Sequence, residues 1–280
     1  MTGVDILMIT YNRAEYVRIS LPGLLASCPS DARVWLWHNG TDRATLEVIR
    51  EFRNHPRLHR FRHSEANAGL REPTNWLWAE ATGSLLGKVD DDCLERPDWV
   101  TVLRRAHEDV PEFGAIGAWR FPEEDSVPDL IDRKLAGYPG GHRLMRNHWV
   151  QGSGYLVKRE VVRQVGPIGA DDSFTRWCRR AARLGWVNGW YHPFIREDHM
   201  DDPRSPNTIY RTDADLMARR PLSARDTGVT TIREWTEHMR RSARLVQEAS
   251  LDLRDLEGWR MRRRNAARRL RFALTGRAPW

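Results

Sequence analysis

The chain has 280 residues, 40% of them hydrophobic, which is enough for one sizeable α/β core or two small ones sharing an interface. No stretch approaches the roughly 18 to 20 apolar residues of a membrane-spanning helix, and the opening MTGVDILMITYNR lacks a basic n-region and a cleavage site, so the sequence predicts a cytoplasmic protein. The net charge of +7 resides entirely between Arg254 and Trp280, where nine Arg face Asp255 and Glu257, while the first 253 residues balance 36 basic against 36 acidic side chains. A charge confined to one tail, without interleaved aromatics or a recognisable module, does not predict a nucleic-acid partner. Cys28, Cys93 and Cys178 are odd in number, far apart and outside any CxxC spacing, so neither a disulfide framework nor a structural zinc site is expected.

In chain order, apolar runs bounded by turn residues alternate with helical patterns over the first 120 residues. VDILMIT (4–10) predicts a buried strand and AEYVRISLPGLLASC a helix perturbed or restarted at Pro22. VWLWH (34–38) predicts a second strand, TDRATLEVIREF a helix and LHRFRH (58–63) a third strand. EPTNWLWAEATG predicts a helix with Pro73 near its first turn and Gly83 as its stop, and SLLGKV (84–89) a fourth strand. Strand and helix in alternation imply right-handed crossovers and a largely parallel sheet. Ligands of such sheets bind beyond the carboxyl ends of the strands. Polar clusters fall at three of those ends: TYNR, HNGTD and DDD.

Beyond AIGAW (115–119) the stretch 121–148 is too irregular to assign. WVQGSGYLVKREVVRQVG then predicts strand and helix, DDSFTRWCRRAARLG a helix, and WVNGWYHPFI one or two short strands. From about Asn207 the pattern is helical only. In the tail, Leu253, Leu256, Trp259, Ala266, Leu270 and Ala273 recur at helical spacing with Arg between them. Such a helix either lies on an anionic membrane surface or packs on the core or a second copy of the chain, and packing is the plainer reading.

Asp90, Asp91 and Asp92 repel one another and need a reason to stand together at a strand end. Continued strand geometry points Asp90 and Asp92 one way and Asp91 the other. Hard cations such as Mg²⁺ and Mn²⁺ bind through one or two carboxylates plus a substrate diphosphate, which fits such a cluster. The competing reading is a solvated acidic turn, or a cap for the helix that RPDWVTVLRRAH begins.

Thr10-Tyr11-Asn12-Arg13, His38-Asn39-Gly40-Thr41-Asp42, Asn67-Ala68-Gly69 followed by Asn75, and Asp90-Asp91-Asp92 occur in an order that resembles the GT-A glycosyltransferases, family 2 in particular. The resemblance covers roughly residues 4–200. It implies an α/β GT-A fold, a Rossmann-like nucleotide-binding mixed sheet flanked by helices. Residues 1–120 would be the nucleotide-sugar-binding half, 121–206 the acceptor-binding half, and 207–280 a C-terminal helical extension with the basic amphipathic tail. It further implies an inverting, metal-dependent enzyme that uses Mn²⁺ or Mg²⁺, a nucleoside-diphosphate sugar donor, and a hydroxyl acceptor on a glycan, lipid-linked glycan or small molecule.

Carried over residue by residue, the resemblance puts Thr10, Asn12 and the 38–41 turn around base and ribose, with Tyr11, Arg13, Asn39, Gly40, Asn67 and Gly69 in the same nucleotide-sugar site. Asp90 would meet the ribose, Asp92 would ligate the metal, and Asp91 could replace either. His38 departs from the Asp with which the family reads a pyrimidine, and Thr74 from a frequent Arg, so uridine specificity is not implied. GSGYLVKREVV and GADDSFTRWCRRAARLGW are similar to the family's acceptor and catalytic-base segments. They suggest Gly152, Ser153 and Gly154 as an acceptor approach with Trp149 as a sugar platform, and Asp172 as the base with Asp171 as alternative. The competing role for either aspartate is to cap the following helix. His199 stands where many GT-A enzymes place a late metal ligand; Glu197, Asp198, Asp201 and Asp202 around it could instead form a solvated acidic loop. Two other functions fit less of the pattern: a sugar nucleotidyltransferase, whose Gly-rich basic N-terminal signature is absent, and an inactive GT-A-like binding protein, suggested by His38.

Overall fold

The computed structural model describes residues 3–256. The basic tail past residue 256, with its expected membrane or dimer contact, lies outside the described residues. Among those described, no helix is long and apolar enough to cross a membrane.

The first half follows the predicted alternation: β1 (Val4–Tyr11), α1 (Ala14–Ser27), β2 (Ala32–Asn39), α2 (Arg43–Glu51), β3 (Leu58–Ser64), α3 (Arg71–Glu80) and β4 (Leu85–Asp90). β1 is apolar almost throughout because it lies in the interior of the sheet, parallel to β2 on one side and β4 on the other. β3 is the exposed edge; Arg60 and Arg62 lie over the rings of Trp35 and Trp37, covering apolar surface with their stems while the charge stays in water. α1 runs unbroken through Pro22, contrary to expectation. Burial of Tyr16, Val17, Leu21, Leu24 and Leu25 on the sheet outweighs the hydrogen bond that proline forgoes. α3 ends at Glu80 rather than Gly83, because the Gly83 amide is taken by the Asp5 carboxylate at 2.7 Å.

Next come β5 (Cys93–Glu95), α4 (Trp99–Asp109), β6 (Phe113–Gly117), α5 (Pro128–Asp132), β7 (Leu135–Gly137), β8 (Arg143–Asn147), β9 (Tyr155–Lys158), α6 (Arg159–Val165), α7 (Phe174–Arg183), β10 (Val187–Tyr191) and β11 (Glu197–His199). The nine-stranded sheet has the order β3-β2-β1-β4-β9-β6-β10-β8-β7. It is parallel from β3 to β4 and mixed beyond, since β9 runs antiparallel to both β4 and β6. The stretch 121–148 holds two strands, β7 and β8, whose pairing depends on β10, far along the chain. β5 and β11 form a separate antiparallel ribbon.

Three α-helices, α8 (Asp213–Arg219), α9 (Leu222–Asp226) and α10 (Ile232–Gln247), and a 3₁₀ turn (Leu253–Leu256) close the described chain. They are fastened to the sheet-bearing part of the chain. Buried Gln247 bonds to Val127 N and Asp125 O, and the Val246 carbonyl accepts from Lys134 Nζ and Asn147 Nδ2.

Candidate active site

From β1 the chain moves outward through β2 to β3, then returns to place β4 on the other side of β1. Neighbouring crossovers therefore diverge between β1 and β4, and the gap left at their carboxyl ends is where open α/β sheets bind ligands. A cavity of about 830 Å³ occupies that gap. Tyr11, Asn12 and Arg13 from the end of β1, Asn39 and Asp42 from the end of β2, Asn67, Gly69 and Leu70 before α3, and Asp90, Asp91 and Asp92 form its walls. At the ends of these two strands Tyr11 N donates to the Asp91 side chain, at 2.8 Å to Oδ2.

Strand geometry stops at Asp90, so the expected alternation of the triplet does not hold. Asp91 and Asp92 lie in a turn, and all three aspartates reach the cavity wall. Asp90 pairs with Lys88, and its amide donates to Ser153 Oγ at 3.0 Å. Asp92 Oδ2 receives Arg13 Nη1 at 3.2 Å, and the same nitrogen reaches Asp201 Oδ2 at 2.9 Å. His199 comes in from β11, with Nε2 3.8 Å from Asp92 Oδ2. Burial raises the Asp91 carboxyl to about 8 and Asp201 to about 7, Asp92 adding to both. Burial would raise Asp92 too, but His199, charged at the low pH where Asp92 takes up its proton, and Arg13 outweigh it and hold Asp92 below the usual carboxylate range. Burial holds His199 down to about 4, so its imidazole is neutral, as a metal ligand requires. One ionised carboxylate, one neutral imidazole and further carboxylates alongside suit a divalent cation carrying a diphosphate.

Other predicted residues lie near this wall without lining it. Thr10 Oγ1 and His38 Nδ1 bond to each other at 2.8 Å, both fully buried. They sit behind the loop as a buttress. Gly40, at φ +97°, lets the second loop close against Asn12, whose Oδ1 stands where a Cβ would collide with it. Gly154 is likewise obligatory, at φ +62°, but what fills the space beside it is the Glu197 carboxyl, with Glu95 next to it, not an open approach for an acceptor. Glu95 and Glu197 are cross-strand partners, and burial first, then mutual repulsion, pushes Glu95 well above the carboxylate range. The Gly152 carbonyl accepts from Lys88 Nζ. Trp149 carries the Arg179 guanidinium 4.8 Å above its ring.

The cap of α7 is Ser173, whose side chain accepts from Arg176 N, so neither preceding aspartate does that work. Asp172 pairs with Arg180 at 3.0 Å, and Asp171 is exposed. Their loop is pinned beside the start of α3 by two 2.9 Å bonds between Asn75 and Ile168, next to the cavity residues Gly69 and Leu70. Neither aspartate lines the cavity.

The expected alternative of a solvated acidic loop around His199 is not what forms: Glu197, Asp201 and Asp202 are buried. Asp201 lines the cavity and accepts from Tyr210 Oη at 3.0 Å. The C-terminal segment adds Arg219, Arg220, Leu222 and Arg225 to the cavity lining. Sequence reasoning missed Asp201 and these arginines as wall residues; the density of acidic side chains at 197–202 was the one signal available.

A nucleotide-sized cavity at the switch point of a mixed sheet, rimmed by an aspartate triplet, defines the GT-A class of sugar-transferring enzymes. The Glycosyl transferase family 2 model matches residues 5–165, more than half of the chain, and the protein belongs to that family: it is a glycosyltransferase. Solved structures agree in fold. The mannosyltransferase PcManGT from Pyrobaculum calidifontis, in complex with GDP-Man and Mn²⁺, superposes with a TM-score of 0.58 at 16% identity, covering 91% of this chain and 78% of its own. S. aureus TarS in complex with UDP-GlcNAc superposes with a TM-score of 0.51 at 13% identity, covering 89% and 76% respectively.

Proposed function

We propose that this glycosyltransferase is metal-dependent and inverting, moving a sugar from a nucleoside diphosphate to a hydroxyl acceptor. The observation that carries the reading is the convergence of Asp92 and His199 at one wall of the cavity, amid Asp90, Asp91 and Asp201. Carboxyls crowded this closely around Arg13 and Lys88 raise one another's affinity for protons, and a divalent cation would take the place of those protons. GDP-Man with Mn²⁺ in one structural relative supports a donor bound together with a cation, and UDP-GlcNAc in the other supports a nucleotide-sugar donor.

Asp92 and His199 would hold the Mn²⁺ or Mg²⁺, which when bound offsets charge building on the leaving diphosphate. Tyr11, 42% exposed on the rim, offers its ring to the base, with Asn12, Asn39 and the Asn67–Gly69 turn around it. Asp90 meets the ribose. Arg219, Arg220 and Arg225 line the same cavity as the aspartates and would grip the phosphate oxygens that Asp92 repels. Asp172 removes the acceptor hydroxyl's proton as that oxygen attacks the anomeric carbon opposite the diphosphate. Its ion pair with Arg180 fixes the carboxylate in one orientation.

Calorimetry with Mn²⁺ and a nucleoside diphosphate tests the reading. Wild-type protein should bind the nucleotide only with the cation, Asp92→Asn should lose that binding, and Asp172→Asn should keep it while losing turnover. Cation-independent binding, or an active Asp92→Asn variant, would sink the metal assignment.

A further inference from the structure

Cys93 directly follows the aspartate triplet and is buried in β5, opposite His199 of β11 in the antiparallel ribbon. Cross-strand partners project from the same face of such a pair. Here that brings Cys93 Sγ, a carboxylate oxygen of Asp92 and a ring nitrogen of His199 within 4.8 Å of one another. The two oxygens of Asp92 divide the work: Oδ1 is 3.3 Å from Sγ, and Oδ2 is 3.8 Å from His199 Nε2. The second distance is too long for a hydrogen bond, so a nine-tenths-buried imidazole faces a carboxylate with room between them.

We propose that Asp92, Cys93 and His199 form a three-donor site for a thiophilic divalent cation of the Zn²⁺ class, a binding mode that differs from the Mn²⁺ or Mg²⁺ mode by recruiting the Cys93 sulfur. The proposal rests on Asp92 and His199 being cation ligands, and adds Cys93 to them. Zn²⁺ takes sulfur, imidazole nitrogen and carboxylate oxygen at about 2.0–2.3 Å in tetrahedral sites, so small side-chain rotations would close the three atoms around it. Mn²⁺ and Mg²⁺ prefer oxygen and leave the thiol as it stands, donating to Asp92 Oδ1. At equal concentration Zn²⁺ binds most mixed sites more tightly than Mn²⁺. It would therefore compete for Asp92, with the fourth position of its shell left to water or a ligand oxygen. The thiol proton passes to solvent as the sulfur coordinates.

Titration of the whole protein with Co²⁺ or Cd²⁺ as spectroscopic substitutes tests this, with Mn²⁺-dependent nucleoside diphosphate binding followed in parallel by calorimetry. A thiolate-to-metal charge-transfer band should grow to one equivalent in the wild type and be absent from Cys93→Ser and Cys93→Ala. Either variant should weaken Zn²⁺ binding about ten- to a hundred-fold while Mn²⁺-dependent nucleotide binding persists. A band that survives in both variants, from Cys28 or Cys178, overturns the proposal, as does unchanged Zn²⁺ affinity. If Mn²⁺ supports nucleotide binding but the wild type shows no band, Cys93 alone is excluded; if Mn²⁺ supports none, the cation site itself falls.

Discussion

At one end of the sheet Asp5 accepts two bonds of 2.7 Å from Arg33, one of 2.8 Å from Trp35 Nε1 and one of 2.7 Å from Gly83 N; at the other end Asp92 has Arg13 at 3.2 Å, a thiol at 3.3 Å and an imidazole at 3.8 Å. Both carboxyls are held below their ordinary range against the opposing effect of burial. Asp5 achieves this with a full set of short donors, and so joins β1, β2 and the turn before β4. Asp92 achieves it while its neighbours Asp91 and Asp201 are pushed up to about 8 and about 7. A carboxylate with every lone pair satisfied holds a fold together. One with long contacts and crowded like charges is poised for a ligand that the chain itself does not supply.

Substitutions at the two ends should therefore separate activity from stability. Asp92→Asn should lower transfer by about a thousand-fold or more and lower the melting temperature only slightly, since the charge that its depressed pKa shows the fold to favour is lost while Arg13 keeps its shorter bond to Asp201. Asp5→Ala should do the reverse, costing about 3 kcal/mol by stranding Arg33 and the Trp35 indole, with turnover per folded molecule intact below the transition; equal stability losses for the two would erase the distinction. Asp172→Asn should lower kcat about a hundred-fold or more with little change in donor KM. Mn²⁺ with nucleoside diphosphate at about a hundred times Kd should stabilise the wild type by about 2.7 kcal/mol, seen as a raised melting temperature, and Asp92→Asn should show no such shift. Arg219→Ala with Arg225→Ala should raise donor KM by about ten-fold and spare cation binding.

The smallest effect is a pH dependence away from the aspartate cluster. Burial first, and His63 second, push His38 down to about 4 from an ordinary 6.5. The unfolded chain thus takes up a proton as pH falls through 6.5 while the folded chain waits until about 4, so stability contributed by neutral His38 is lost across that window. His38→Asn should flatten this acid limb in melting curves recorded from pH 7 to 4.5; an unchanged slope would assign the loss to other groups.

Each loop at the end of β1, β2 and β4 could be read from the sequence because it lies immediately after a short, strongly apolar strand, where local pattern and global position coincide. Which side chain of a loop faces the cavity was less legible: Thr10 and His38 belong to the right loops but turn inward to each other. The strands β7 and β8 escaped because their partner β10 forms far later in the chain, and short strands without alternation carry no local signal. Asp201 escaped for the same reason at larger scale. It meets Arg13 across 188 residues, and nothing near either residue announces the other.

That long-range clasp bears on how the enzyme comes to exist during synthesis. Asp201 is secured from behind by Tyr210 Oη and by Trp235, whose indole donates to the Asp201 carbonyl at 2.7 Å, and α10 is locked in turn through Gln247. A growing chain that has emerged only as far as β11 would own every aspartate of the triplet and His199, yet lack the arginines of the cavity lining and the anchor of Arg13's second carboxylate. The nucleotide half can thus form early, but a finished cavity waits on translation of α10, and a ribosome-bound intermediate stalled before it should not retain the donor.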